Sequence, residues 1–404
     1  MTKKSILVFG VGELQCSIIN KAKEKGLFVV GIDPCANACG KQLVDAFEVV
    51  DGQDYEKTLS VARKYNVSGI VTAATDKPLV MMARVAKELN LRFYSEKTAR
   101  VSTDKFLMKE AFMEGHIPCA QGKLVYSVDE INNFVFPVIL KPRDNSGSRG
   151  VILCHNRDLV RNAFEETIQY TKRDSILVEE FIEGKEYSVE SLHWNGNTEI
   201  IQFTEKQTTP FPYNVELGHI QPANISLTDK KKVEEIIKQL AVVLKFDNCA
   251  SHTELKINDR GIFVIETSPR LGGDYITSML VLLSTGIDME NILIDISLGN
   301  EVYLSEKKHR YSMVRFFDFT NGVLVHNKES VIRYLNSIDC CHYSFKLEDG
   351  DIIPLITNSL DRYGEMILVR DRKEELVRNF SDILPKIYSI ICGSKCNISN
   401  VDKE

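Results

Sequence analysis

Glu254 and Glu266 stand in two apolar runs, His252-Thr253-Glu254-Leu255-Lys256-Ile257 and Ile262-Phe263-Val264-Ile265-Glu266-Thr267-Ser268-Pro269-Arg270, joined by the polar turn Asn258-Asp259-Arg260-Gly261. The pattern predicts a β-hairpin. A three-residue loop Asp259-Arg260-Gly261, with Gly261 left-handed, would pair Asn258 with Ile262, Lys256 with Val264 and Glu254 with Glu266. The two carboxylates would then share one face, with Cβ atoms about 5 Å apart. A two-residue loop would send them to opposite faces. Two bare carboxylates that close repel by roughly 3 kcal/mol at an effective dielectric of about 20. A divalent cation between them removes that cost, and carboxylate oxygens suit Mg²⁺, which also takes phosphate oxygens and water. The competing reading is one protonated glutamate bonded to the other. Arg270 lies just beyond, suited to a two-pronged grip on phosphate or carboxylate.

A second segment, Phe136-Pro137-Val138-Ile139-Leu140-Lys141-Pro142, places a lysine at the end of an apolar strand, where an ammonium is costly unless paired. The loop Asn145-Ser146-Gly147-Ser148-Arg149-Gly150 follows. Its unhindered N–H groups and hydroxyls suit phosphate oxygens, although the Gly-Lys-Ser/Thr ending of a P-loop is missing. A Gly/Ser hairpin with a snorkelling lysine fits the same residues. In a third segment, Ile176-Leu177-Val178-Glu179-Glu180-Phe181-Ile182-Glu183-Gly184-Lys185-Glu186, two β runs flank a glycine break. A free strand end there could pair with a purine edge, Glu179 could accept from its exocyclic amine, and Glu186 from ribose hydroxyls. Glu180 and Glu183 also read as a solvated edge.

These segments need a scaffold. The first hundred residues alternate strand and helix: Ser5–Phe9, a helix to Lys25, Leu27–Ile32, Glu48–Val50, a helix at Tyr55–Tyr65, and Gly69–Ala73 ending at Thr75-Asp76. That order implies a doubly wound parallel sheet. Gly10-Val11-Gly12 with Asp33 is half of a dinucleotide fingerprint, with Gln15 where the third glycine belongs. It reads as a tight turn facing a small substrate, with an NAD(P)-dependent reductase as the remote alternative. Thr103 or Asp104 can cap a helix through Glu114, stopped at Gly115. Mixed strands and helices run to about Leu304. Strand-like Met313–Phe319 and an amphipathic helix around Glu374–Phe380 mark the last hundred residues. The expected fold class is α/β, α+β in the catalytic part, with domains at residues 1–100, 101–304 and a smaller β-rich 305–404.

The chain has 404 residues, a formal net charge of −6, 44% hydrophobic and 26% charged residues, ample for several cores. No basic stripe suggests nucleic acid. No apolar stretch suggests a membrane span, and the opening residues Met1 to Phe9 do not read as a signal peptide. Ten scattered cysteines, Cys35/Cys39 and Cys392/Cys396 among the closest pairs, read as free thiols in a reducing cytoplasm.

Taken in order, the segments resemble the ATP-grasp superfamily over essentially the whole chain. The resemblance implies a pre-ATP-grasp domain, an ATP-grasp catalytic domain and a C-terminal domain. It implies ATP and Mg²⁺ as cofactors, with Mn²⁺ as a substitute. Lys105 and Lys141 resemble the phosphate lysines, and Ser146, Gly147, Ser148 and Gly150 the loop that closes over the triphosphate. Glu179, Glu180 and Ile182 resemble the adenine hinge, with Glu186 on ribose. Glu254 and Glu266 resemble the metal ligands, with Ser268 where the family commonly has asparagine, and Arg270 and Lys141 are the catalytic candidates. Glu-x-Ser-Pro-Arg is similar to formate-dependent phosphoribosylglycinamide formyltransferase. Glu216-Leu217-Gly218-His219 and Ser359-Leu360-Asp361-Arg362-Tyr363-Gly364 are similar to L-amino acid ligases. Gly10-Val11-Gly12-Glu13-Leu14 is similar to purine-pathway members such as phosphoribosylglycinamide synthetase. The carbamoyl-phosphate synthase large-chain ATP-binding domain is similar too, although one unit is too short for that whole enzyme. His219, Gly272 and Gly273 become substrate candidates. The implied activity is a carboxylate–amine ligation through an acyl phosphate, with small-molecule substrates and a homodimer as a compatible assembly. A purine-biosynthetic enzyme and a nucleotide-binding regulator without catalysis are the alternatives.

Overall fold

The computed structural model describes residues 3–393, so Met1, Thr2 and Cys396 lie outside the described residues. Strands β1 (Ser5–Phe9), β2 (Phe28–Asp33), β3 (Ala46–Val49) and β4 (Val67–Val71) form a parallel sheet in the order β3-β2-β1-β4. Alternation along β1 decides its two faces. Leu7 and Phe9 join a core with the helices Tyr55–Lys64 and Leu79–Glu88, while Ile6 and Val8 join another with the helix Cys16–Glu24. The sheet is therefore covered on both sides, as the alternating pattern implied. β3 starts at Ala46 rather than Glu48, because pairing with β2 begins at Val30 opposite Ala46.

β5 (Gly122–Val125), β6 (Val138–Lys141), β7 (Ile152–Cys154) and β8 (Ile176–Glu180) build a small antiparallel sheet in the order β5-β8-β6-β7, backed by the helix Val160–Thr167. Lys141 ends β6, and residues 142–151 carry the chain to β7. The helix Lys105–Glu114 starts on Asp104, whose carboxylate accepts from the N–H groups of Phe106 at 3.0 Å and Leu107 at 3.3 Å. Thr103 instead ends the preceding helix, Glu96–Thr103, and its hydroxyl donates back to the Ala99 carbonyl.

The largest sheet has eight strands: β9 (Lys185–Trp194), β10 (Asn197–Thr208), β11 (Glu216–Gln221), β12 (Cys249–Asn258), β13 (Gly261–Ser268), β14 (Tyr311–Phe316), β15 (His342–Phe345) and β16 (Gly364–Arg370). Their order is β13-β12-β9-β10-β11-β14-β16-β15. The ladder thus runs unbroken across residue 305, with β14 paired to β11 from Gly218 opposite Arg315 to Gln221 opposite Ser312. The last helix is longer than its strongest amphipathic window, extending over Lys373–Cys392. Leu376, Phe380, Ile383, Ile387 and Ile391 recur every three or four residues and pack with Leu217 and Ile220 of β11 in one core.

The β12–β13 hairpin departs from its expected register. Asn258 pairs with Gly261, not Ile262, so the loop is the two residues Asp259 and Arg260. Leu255 then faces Val264, and that register alone would put the two glutamates on opposite faces. A β-bulge at Ile265 inserts one residue into β13, and Glu254 pairs with Glu266 after all. The pairing was expected correctly and its cause was not.

Candidate active site

One cleft opens between the small and the large sheets, with about 1060 Å³ of unfilled space. It is lined by Lys105, Lys141, Ser146, Gly147, Ser148, Glu179, Glu180, Ile182, Glu186, Glu254, Glu266, Ser268 and Arg270. No helix among the described residues is long and apolar enough to cross a membrane. No cysteine among the described residues forms a disulfide.

Every carboxylate in the cleft already has a cationic partner. Glu179 lies between Lys109 Nζ at 2.7 Å and Lys141 Nζ at 2.6 Å, one on each oxygen. Burial alone would raise its carboxyl, but Lys141 and Lys109 outweigh burial and hold it at about 2. Each Glu179 oxygen is thus engaged by one lysine, and the carboxylate holds the two ammonium groups in place. The Glu180 carboxylate is likewise engaged, by the Gln121 N–H at 3.1 Å and Arg260 at 3.3 Å.

Lys105 Nζ lies 2.5 Å from Glu266 Oε2. Opposite it, Glu254 is held at both oxygens, Oε1 by His252 Nε2 at 3.3 Å and Oε2 by Lys206 Nζ at 3.1 Å. Burial works against ionisation of Glu254, yet Lys206 and His252 keep it well below the usual carboxylate range. Lys206 also reaches Glu186 at 2.7 Å and Glu216 at 3.3 Å. Burial would lower the Lys206 ammonium; the three carboxylates overcome it and raise it well above its ordinary value. His252 is backed in turn by Glu190, 2.7 Å from Nδ1. Burial would lower the imidazole, but Glu190 and then Glu254 push it up to about 9. Gly272 sits against this pair. A Cβ there would fall 2.9 Å from both Glu190 Oε2 and His252 Nδ1.

Arg270 is clasped by Asp76, with Nε at 2.9 Å and Nη2 at 3.1 Å, and Ser268 donates its hydroxyl to the same carboxylate at 2.5 Å. The Ser268 proton is thus committed to Asp76, leaving only its lone pairs for a cation. Asp76 follows β4, at the carboxyl end of the parallel sheet where open α/β sheets bind ligands.

Four expected contacts, Gly272 among them, are absent from the cleft wall. His219 is buried and pairs with Asp274 at 3.2 Å, and Asp274 also takes both terminal nitrogens of Arg362 at 2.7 Å. Gly273 packs near Ala74 instead of the cleft. Gly150, at φ +73°, turns the loop over Tyr170, where a Cβ would approach the ring to 2.6 Å. The Gly10-Val11-Gly12 turn spends its own donors: Gly10 N–H on the Ile32 carbonyl, Val11 N–H on Asp33 at 2.8 Å and Gly12 N–H on Gln15 at 3.1 Å. A bound dinucleotide would need those N–H groups for its pyrophosphate and Asp33 for its ribose hydroxyls.

Paired glutamates, cleft-lining lysines and a glycine-serine loop on one cleft agree with comparison to known proteins. Residues 134–278 match the ATP-grasp domain family. These residues are an ATP-grasp domain. Alanine–anticapsin ligase of Bacillus amyloliquefaciens is 26% identical over 269 residues, covering 60% of this chain and 56% of that protein. The chain thus matches little more than half of that relative's length. The crystal structure of an L-amino acid ligase from Bacillus licheniformis superposes with a TM-score of 0.81 at 16% identity, covering 95% of this chain and 97% of that one. Phosphoribosylglycinamide synthetase from Anaerococcus prevotii gives 0.75 at 23% identity, covering 95% and 98%. These likenesses establish the shared fold, with the ATP-grasp domain at its centre.

Sequence reading missed Asp76, Lys109, Lys206, His252 and Glu190. Lys109 carries a usable signal, since it lies one helical turn from Lys105 on the same face. Lys206 carries no such signal, because its strand Asn197–Thr208 is mostly polar. Asp76 reaches the cleft only through tertiary packing.

Proposed function

We propose that this chain is an ATP- and Mg²⁺-dependent carboxylate–amine ligase that works through an acyl phosphate, on an amino acid or similar small metabolite. The observation that carries this reading is the pairing of Glu254 with Glu266 across the hairpin, facing Lys105 and Lys141 with Arg270 alongside. Among the described residues, no three of His, Cys, Asp and Glu are arranged to hold a metal by themselves. Two carboxylates with room for phosphate oxygens are the donor set that Mg²⁺ takes when it arrives with a nucleotide. Glu254 and Glu266 would hold it, and it would neutralise charge on the transferring phosphoryl group.

A carboxylate does not acylate an amine at neutral pH, because oxide is a poor leaving group. In the proposed reaction a substrate carboxylate oxygen attacks the γ-phosphorus of ATP and ADP departs. The amine nitrogen then attacks the acyl carbon, the C–O bond breaks, and phosphate leaves with its electrons while the nitrogen loses a proton. The chain's own work is positioning and charge neutralisation. Lys105 exchanges Glu266 for a phosphate oxygen, Lys141 is held toward the phosphates by Glu179, and Arg270 steadies the acyl phosphate. Residues 146–150 cover the triphosphate and exclude water.

Release of ADP and phosphate across a panel of amino acids and purine precursors tests the reading. Turnover with amino acids supports it. Turnover only with a phosphoribosyl amine would favour the purine-pathway reading, which the Glu266-Thr267-Ser268-Pro269-Arg270 run also suits. ATP hydrolysis or binding without ligation would leave a regulator. In calorimetry, Lys141→Ala should weaken ATP binding by roughly 2–4 kcal/mol, the loss of a charge partner in a desolvated site. Unchanged affinity would remove Lys141 from the phosphate site. The loop should respond as well. Trypsin cleavage after Arg149 should slow when nucleotide and Mg²⁺ are added, and equal rates would count against a covering role.

A further inference from the structure

Lys206 differs from the phosphate lysines in where it can go. Lys105 and Lys141 line the cleft and can turn toward a ligand, whereas the Lys206 side chain is 1% exposed and does not line it. It rises from β10 into a ring of carboxylates supplied by three other strands: Glu186 on β9 at 2.7 Å, Glu254 on β12 at 3.1 Å and Glu216 on β11 at 3.3 Å. Ser188 of β9 lies opposite Glu254 on one side and Thr204 on the other, so Glu254 and Lys206 meet diagonally across β9, past this small side chain. Three hard oxygen donors therefore converge on a single cation, and that cation is built into the chain.

We propose that Lys206 is the resident counter-cation of the cleft floor, neutralising Glu186, Glu216 and Glu254 so that a divalent cation enters with nucleotide phosphates and not alone. This rests on the nucleotide-and-metal reading of the cleft. As they stand around the ammonium, the three carboxylates are not arranged to hold a metal; without it, they would be left to close on one another with oxygen, the donor type that Mg²⁺, Mn²⁺ and Ca²⁺ prefer. Their mutual repulsion would make a free divalent cation the most effective neutraliser available. With the ammonium in place, a lone cation must compete with a positive charge held about 3 Å from the same oxygens, and like charges that close are strongly unfavourable. ATP changes the balance by bringing phosphate oxygens and negative charge to the Glu254–Glu266 side.

The test uses Mn²⁺ alone, without nucleotide, on the full chain. Binding is read by calorimetry and by loss of the free Mn²⁺ electron paramagnetic resonance signal. Lys206→Met should bind Mn²⁺ roughly tenfold or more tightly than the native protein, in keeping with removal of a charge beside the ligands. Its thermal midpoint should rise on adding Mn²⁺ while the native midpoint stays put. Equal Mn²⁺ affinity in the two proteins overturns the proposal. If Lys206→Met folds only with Mn²⁺ present, the proposal is supported. If it folds in neither state, Lys206→Met with Glu216→Gln, which leaves two facing carboxylates, replaces it in the same comparison, and equal affinity again overturns the idea. Adding Glu254→Gln should abolish the gained affinity; its persistence would place the cation elsewhere and overturn the assignment. ADP binding by the native protein is measured alongside. Its absence would discard the nucleotide reading, while the Mn²⁺ comparison still stands.

Discussion

Glu179→Gln should destabilise the fold by roughly 3–5 kcal/mol, the cost of leaving buried cations without their partner. Glu179 is buried and bridges Lys109 and Lys141. A glutamine keeps the shape and loses the charge, so two ammonium groups would share a neutral amide in a place shut off from water. Urea denaturation should show the loss, with the midpoint falling and the slope unchanged. The pH dependence follows from the same contact. Because the folded carboxyl is held at about 2, below the ordinary 4.5, the native state binds fewer protons there than the unfolded chain. The stabilisation is complete above about 4.5 and is lost as pH falls toward 2. In Glu179→Gln that segment of the acid unfolding profile should flatten. An unchanged urea midpoint would mean the two lysines find other partners.

Arg270→Ala should lower turnover by roughly 10²–10³, the range for removing a donor that meets charge developing in a transition state. Arg270 is fixed by two hydrogen bonds that it donates to Asp76, with Ser268 donating to the same carboxylate. In the proposed reaction this clasp would hold it in place for a phosphoryl or acyl phosphate oxygen before substrate arrives. Nucleotide affinity should change much less than kcat, because Lys105 and Lys141 carry the ground-state phosphate contacts in the proposed site. Asp76→Asn should give a smaller loss of kcat by loosening the guanidinium without removing it. A fall in ATP affinity matching the fall in kcat would move Arg270 from the reacting centre to the nucleotide site.

The layers of the fold were legible because periodicity reports burial. Alternation in the first hundred residues gave the parallel sheet, and lysine or glutamate residues in apolar strands marked the cleft. What could not be read was partner choice. Glu179 stands in a hinge segment suited to adenine, yet two lysines from other elements take both its oxygens. His219 looks like a substrate residue in its own strand, but Asp274, far along the chain, claims it. Asp76 shows the converse, since nothing local to Thr75-Asp76 announces that it will clasp Arg270. The hairpin is the most instructive case. Turn chemistry was the argument for the register, and the turn proved one residue shorter; the bulge at Ile265 restored the pairing from inside the strand. Bulges leave little trace in composition, so register predicted from a turn alone holds only as far as the first irregularity.

The eight-stranded sheet that crosses residue 305 limits how this chain can be recombined. Removing everything from Tyr311 onward would strip β14 from β11 and leave Gly218–Gln221 with a bare row of N–H and C=O groups. Leu217 and Ile220 would lose the C-terminal core that covers them. An exposed, partly apolar strand edge of that kind invites intermolecular pairing and precipitation. Chimaeras that exchange the last quarter of the chain with a relative must therefore bring a matching β11 with it, and the natural seam for grafting lies inside the sheet's neighbour contacts, away from the loop at residue 305.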